Sequence, residues 1–252
     1  NSSWHGTHVA GTIGANSGVG AMGVCGVDFA CKLMICRVLG SGGGISTDIE
    51  NAILYSANLA NSGGTLPAGG KAQVINMSLG SNFFLQSFQN ACLAAFNAGV
   101  VVVAAAGNDG TSAFAFPASY SGVISVGALN RDNTKASFSQ FNSAVDIAAP
   151  GVSVLSTFVA DQSGPPTESI NFLQGTSMAT PHVAGICALV LAVDPTLTPS
   201  GVENIIKTSA VDLGVAGQDA SFGFGKINAA AAVTLAGATP PGPPVIAISP
   251  RV

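Results

Sequence analysis

Three residues of this chain have the types and settings that acyl transfer needs. They are a serine ahead of an apolar run, a histidine ahead of another, and an asparagine closing a third. Ser177 stands in GTSMATPHVAG (175–185), and the apolar residues Val183, Ala184, Ile186, Ala188, Leu189, Leu191 and Val193 predict a buried helix behind it. Pro181 is expected in the first turn of that helix, where N–H groups have no intrahelical partner and a proline loses nothing. Ser177 then lies at a helix N-terminus, where free N–H groups and the positive end of the macrodipole favour negative charge. Two roles fit such a serine. It is an N-cap, or it is a nucleophile whose tetrahedral intermediate those N–H groups stabilise. The second role requires a base.

The chain holds three histidines, His5, His8 and His182, all within HGTHVAG (5–11) and GTSMATPHVAG. His182 follows Ser177 in the same helix too closely for its ring to turn back onto the hydroxyl, so packing is its expected role. That leaves His5 or His8. With THVAGTIGA forming a helix behind it, His5 projects from the helix start into a cleft, whereas His8 faces the next turn. A zinc site on His5 and His8 is the rival reading. It lacks the H-E-x-x-H spacing that puts two ligands on one helix face with a glutamate between them. Asn108 ends VVVVAAAGN (100–108) and is either a turn residue of GNDG or a polar donor seeking a partner.

These residues need elements to position them, and strands alternate with helices along the chain. KLMICRVL (32–39) reads as a buried strand, followed by a Gly-rich turn. A helix is expected from Thr47, where T-x-x-E with Glu50 makes a capping box. AQVINMSLG (72–80) predicts a strand, FLQSFQNACLAAFNAG (84–99) a helix closed by Gly99, and 100–108 a strand covered on both faces. GVISVGAL and VDIAAPG follow as shorter strands, then the helix after Ser177 and another near Val202–Ser209. Such βαβ alternation predicts an α/β fold of three layers, a mostly parallel sheet with helices on both faces. Ligands of these sheets bind at the carboxyl ends of strands, where Ser78-Leu79-Gly80 and Gly107-Asn108 lie. The expected organisation is one domain over 1–236 and a Pro-rich linker over 237–252 that leads to a further region.

Composition narrows the function classes. Among 252 residues, 48% are hydrophobic and 8% charged, with 32 Gly, which fits a compact, loop-rich globule and argues against disorder or a coiled coil. A net charge of −4 with eight scattered Lys and Arg offers no basic stripe for nucleic acid. The apolar runs 100–106 and 183–193 fall short of a membrane span, so no membrane partner is expected. Cys36, Cys92 and Cys187 fall on apolar faces and are expected as buried small hydrophobes. Cys25 and Cys31 flank CGVDFAC and are either a bridge, given an oxidising compartment, or free thiols. GVGAMG (18–23) fits G-x-G-x-x-G but follows a helix rather than a strand, so a dinucleotide site is not favoured. An esterase of the α/β-hydrolase type needs G-x-S-x-G and a late histidine; Ala179 breaks the first requirement.

Taken together, HGTHVAG, GTSMATPHVAG, VINMSLG, VVVVAAAGN and VDIAAPG resemble the subtilisin-like serine endopeptidases, the subtilases, over nearly all of residues 4–234. The resemblance implies peptide-bond hydrolysis with His5 as general base, Ser177 as nucleophile and Asn108 as the oxyanion-hole side chain. It implies an extended polypeptide substrate, bound as an added strand between SGGG (41–44, with Gly42, Gly43 and Gly44) and Ser78, Leu79 and Gly80. Ala104, Ala105, Ala106, Gly107 and Leu79 would wall the pocket for the residue before the scissile bond. Ala115 and Phe116 would lie near its base, and small uncharged walls suit a large apolar side chain there. A propeptide and an extracellular location are implied as well. No cofactor is implied for the chemistry, although Asn16 and the carbonyls of GANSGVGAMG are similar to one structural calcium loop. The match breaks at one place. Subtilases carry an Asp roughly 30 residues before the histidine, whereas only Asn-Ser-Ser-Trp precedes His5. The expectation is therefore an incomplete triad, with this stretch alone inactive; the rival from another class is a non-catalytic binding module.

Overall fold

The computed structural model describes residues 4–16, 23–40, 42–160 and 167–238. Four parallel strands form its centre in the order β1-β2-β3-β4: β1 (Val74–Met77), β2 (Val101–Ala105), β3 (Val123–Leu129) and β4 (Ile147–Pro150). Successive side chains of β2 enter opposite layers. Val101 and Val103 join the cluster of Val183, Cys187, Val202 and Ile206 on one face. Val102 and Ala104 join Ile53, Phe88, Cys92 and Ala95 on the other. This double burial explains the unbroken apolar run that predicts the strand.

On the second face lie α2 (Ser46–Ser56) and α3 (Gln86–Asn97); on the first lie α4 (Thr176–Val193), α5 (Pro199–Thr208) and α6 (Ala229–Ala238). α4 is long and apolar enough to span a bilayer by length and composition, more than its apolar run alone suggests, because it also takes in 176–182. It is the core helix of this fold, packed against all four strands. In front of the sheet, α1 (His5–Gly14) packs on α4 and on an antiparallel hairpin, β5 (Val154–Val159) with β6 (Glu168–Leu173).

The structure corrects several expectations. Residues 32–39 form no strand: Leu33, Met34, Ile35 and Leu39 are exposed. An apolar run becomes a strand only where another strand accepts its backbone bonds, and none of the described strands pairs with it. The capping box is not made either. α2 begins one residue before Thr47 without a side-chain cap, and Glu50 accepts from the Ser87 hydroxyl at 2.8 Å, tying α2 to α3. Pro181 sits beyond the first turn, as the sixth residue of α4. All five cysteines are free thiols, so Cys25 and Cys31 are not bridged, and Cys36 is only half-buried. Most of GVGAMG and of the calcium-like loop (17–22), Ser41, and the expected linker from 239 onward lie outside the described residues.

Candidate functional site

The carboxyl ends of β1 and β2 and the first turn of α4 meet at Ser177. The nucleophile candidate is half-buried, and its hydroxyl donates to the Ser78 carbonyl at 3.3 Å. In return the Ser78 hydroxyl donates to the Ser177 carbonyl at 2.8 Å. That second bond is possible because of Pro181. A residue four positions on in a helix normally donates its N–H to this carbonyl, and proline has none to give. Gly175, with φ of 145° and its N–H held by the Gly151 carbonyl at 2.8 Å, turns the chain from β6 into the helix.

Asn108 is exposed, but one end of its amide is fixed. Its Oδ1 accepts from the Thr176 N–H at 2.8 Å and from the Thr176 hydroxyl at 3.0 Å. Since an N–H can only donate, these bonds decide which end is oxygen, and Nδ2 remains as the donor. Thr176 Oγ1 also accepts from the Gly107 N–H at 3.2 Å, so one buried threonine, next to Ser177 in sequence, ties the segment after β2 to the start of α4. Sequence reasoning missed Thr176. Its partners lie 68 and 69 positions away, and only the adjacency of a hydroxyl to the serine motif hinted at a role.

His5 opens α1, which packs directly on α4. Burial, then the neighbouring His8, holds the His5 pKa below its ordinary value. It is therefore neutral, as a base must be, at pH values above that lowered pKa. His8 is fully buried, with Nε2 3.0 Å from the Val154 carbonyl and 3.1 Å from the Asn171 carbonyl. Two carbonyls can only accept, so this nitrogen carries a proton and is not open to a metal. Among the described residues no group of three or more His, Cys, Asp or Glu could hold a metal ion. His182 bonds the Met178 carbonyl one turn earlier in its own helix through Nδ1, at 2.9 Å.

Ser78, Leu79 and Gly80 leave β1 beside the site, and Ser81 exchanges two bonds of 2.8 Å with Phe116. Leu79, Phe116 and Ala104 share one apolar cluster. Ala105, Ala106 and Ala115 are buried near them in sequence, and a Cβ on Gly80 would lie 3.3 Å from the Phe116 carbonyl. Gly42, Gly43 and Gly44 line a separate open cleft of about 460 Å³ with Arg37, Leu39 and Asp48, which does not include Ser177. Gly43 already exchanges backbone bonds of 2.8 and 3.2 Å with Gly40.

Comparison with known proteins agrees with this architecture. The profile described as Subtilase family matches residues 1–225. An extracellular protease of Xanthomonas campestris pv. campestris is 44% identical over 239 residues, covering 93% of this chain and 40% of that protein. Subtilisin BL of Lederbergia lenta is 39% identical over 229 residues, covering 90% of this chain and 77% of its own. Among solved structures, a protease of Pseudoalteromonas arctica PAMC 21717 superposes with a TM-score of 0.87 at 40% identity, covering 94% of this chain and 72% of that one. A subtilisin-like protease of Pseudoalteromonas sp. AS-11 shares the fold at a TM-score of 0.74 and 24% identity, covering 91% of this chain and 83% of that one. The chain thus spans well under half the length of the Xanthomonas relative.

Proposed function

Because the chain belongs to the subtilase family, we propose that it is the peptidase region of an extracellular serine endopeptidase that works through an acyl-enzyme. The observation that carries the reading is the clamp of Thr176 on Asn108 Oδ1, which satisfies the first N–H of α4 and leaves the amide Nδ2 as a donor beside Ser177. His5 removes the Ser177 hydroxyl proton as Oγ attacks the scissile carbonyl, then returns that proton to the leaving amine. A water deprotonated by His5 next releases the acyl group. Asn108 Nδ2 and the Ser177 N–H receive the oxyanion in both steps.

A polypeptide binds extended along Ser78–Gly80, with Gly42–Gly44 as the opposite edge. A large apolar side chain before the scissile bond enters against Leu79 and Ala104–Gly107, with Ala115 and Phe116 at the base. An acidic partner that fixes the tautomer of His5 and supports its positive charge completes this reading. A propeptide is the expected folding partner.

The test is covalent labelling of the full-length protein. A sulfonyl fluoride or fluorophosphonate reagent should modify Ser177, located by peptide mapping, and abolish peptide hydrolysis. Label on another residue, or none in a hydrolysing preparation, overturns the assignment.

A further inference from the structure

We infer that His8 is a positioning residue, which fixes the helix bearing His5 to the strand leading into Ser177 and so sets the approach of base to nucleophile. The inference rests on the roles of His5 and Ser177 proposed above. His8 lies one turn after His5 on α1. Its Nε2 reaches two carbonyls of the hairpin, Val154 on β5 at 3.0 Å and Asn171 on β6 at 3.1 Å. β6 ends at Leu173, and the chain runs through Gln174 and Gly175 directly into α4 and Ser177. The imidazole therefore joins the two segments that must meet for proton transfer.

Three further observations support this role over simple packing. His8 Nδ1 is buried without a hydrogen-bond partner, a cost that a leucine in the same space would avoid. What the imidazole supplies in exchange is the donor at Nε2. The α1 backbone is also held from β5, by Ser156 Oγ donating to the His8 carbonyl at 2.7 Å and Thr157 Oγ1 donating to the Thr7 carbonyl at 2.9 Å. The ring extends this hold to β6. Finally, the helix lies so close to β5 that a Cβ on Gly11 would fall 2.1 Å from Thr157 Oγ1. Val9, Val154 and Met178 fill the space between α1, the hairpin and α4. Loss of the polar hold would let α1 slide on this apolar seam, and a displacement on the order of 1 Å at a reacting group can cost about 100-fold in rate.

The experiment compares His8→Leu, which fills the space without a donor, with His8→Gln, whose amide nitrogen extends about as far as Nε2. Both are made in the full-length protein, and the active sites are counted by fluorophosphonate incorporation at Ser177. His8→Leu should lower kcat per titrated site by about 10–100-fold with KM within about twofold, and His8→Gln should recover most of the loss. If His8→Leu does not fold, His8→Asn, whose shorter amide cannot reach both carbonyls, takes its place at the same readout. Wild-type kcat per titrated site in the donorless variant overturns the inference whatever happens to melting temperature, and so does a His8→Gln variant as slow as His8→Leu. Failure of the wild type to incorporate label at Ser177 instead overturns the proposed function.

Discussion

Replacing Gly107 by alanine tests whether the end of β2 is held as tightly as the clamp on Asn108 requires. Gly107 has a φ of 112°, where a side chain is strained, and a Cβ built there would lie 1.6 Å from Gln140 Oε1 and 2.4 Å from its Cδ. Gln140 has little freedom to yield. It is 1% exposed, its Nε2 donates to the Ala113 carbonyl at 2.9 Å, and its backbone N–H donates to Gly107 itself at 3.1 Å. A non-glycine residue in such a conformation costs about 1–3 kcal/mol, and overpacking a filled site costs about 1–3 kcal/mol more. Together these predict a loss of about 2–6 kcal/mol, or about 4–24 °C in Tm for a domain of this size.

The two contributions separate in a cycle with Gln140→Ala, which clears the collision and leaves the backbone strain. The double variant should regain about 1–3 kcal/mol relative to the sum of the single changes. Thermal melts by circular dichroism read the stability. Turnover of a chromogenic peptide should fall in parallel, because the Gly107 N–H and Asn108 Oδ1 share the Thr176 hydroxyl. A Gly107→Ala variant that melts within about 1 °C of the wild type refutes the tight fit. Full recovery on adding Gln140→Ala refutes the strain at φ.

Asn108→Ala removes one oxyanion donor and should lower kcat about 10²–10³-fold with little change in KM, a magnitude known from subtilisin itself; a raised KM at unchanged kcat would make Asn108 a substrate-binding residue instead. Lys207→Met tests the pair that Lys207 of α5 makes with Asp146, just before β4, at 2.8 Å. Burial already pushes the Asp146 pKa up, and Lys207 opposes that push. Without the lysine the folded-state pKa rises further. The variant's deficit, about 1–3 kcal/mol at neutral pH, should therefore be complete above that further-raised value and vanish below the wild type's own Asp146 pKa, which itself lies above the ordinary aspartate value. Denaturation midpoints measured from pH 3 to 8 check this, and a deficit independent of pH would show that losing the ammonium over the Phe224 ring outweighs losing the pair with Asp146.

How far the sequence could be read depended on whether an element's partners were local or distant. The strand at 101–105 and the helix after Ser177 announce themselves because the strand is buried on both faces and the helix along most of its length, which demands apolar residues at consecutive positions. The same logic misleads at 32–39, where apolar character is present but no described strand pairs with it. The hairpin of β5 and β6 escaped notice because β6 is half-exposed and its residues blend into loop composition. At the site, Ser177, His5 and Asn108 were visible as residue types at element ends. Thr176 and His8 acquire their roles from carbonyls and amides far away in the chain, which no spacing rule encodes.

The position of the site follows from the same constraints. Parallel strands send their carboxyl ends to one side of the sheet, so the residues after β1 and β2 emerge together there. Each of them is fastened to one of the first two residues of α4: Asn108 to Thr176, and Ser78 to Ser177. A proline inside a helix ordinarily costs about 3 kcal/mol, partly because it orphans a carbonyl. Here the orphan belongs to Ser177, and the Ser78 hydroxyl fills it at 2.8 Å. Ser78 also begins the edge along which the substrate is proposed to lie. The proline that looks misplaced in the helix is thus what allows the helix bearing the serine to be bonded to the strand beside it. An alanine at position 181 would supply the intrahelical N–H, draw the Ser177 carbonyl back into the helix and release Ser78, loosening that edge without touching any residue that reacts.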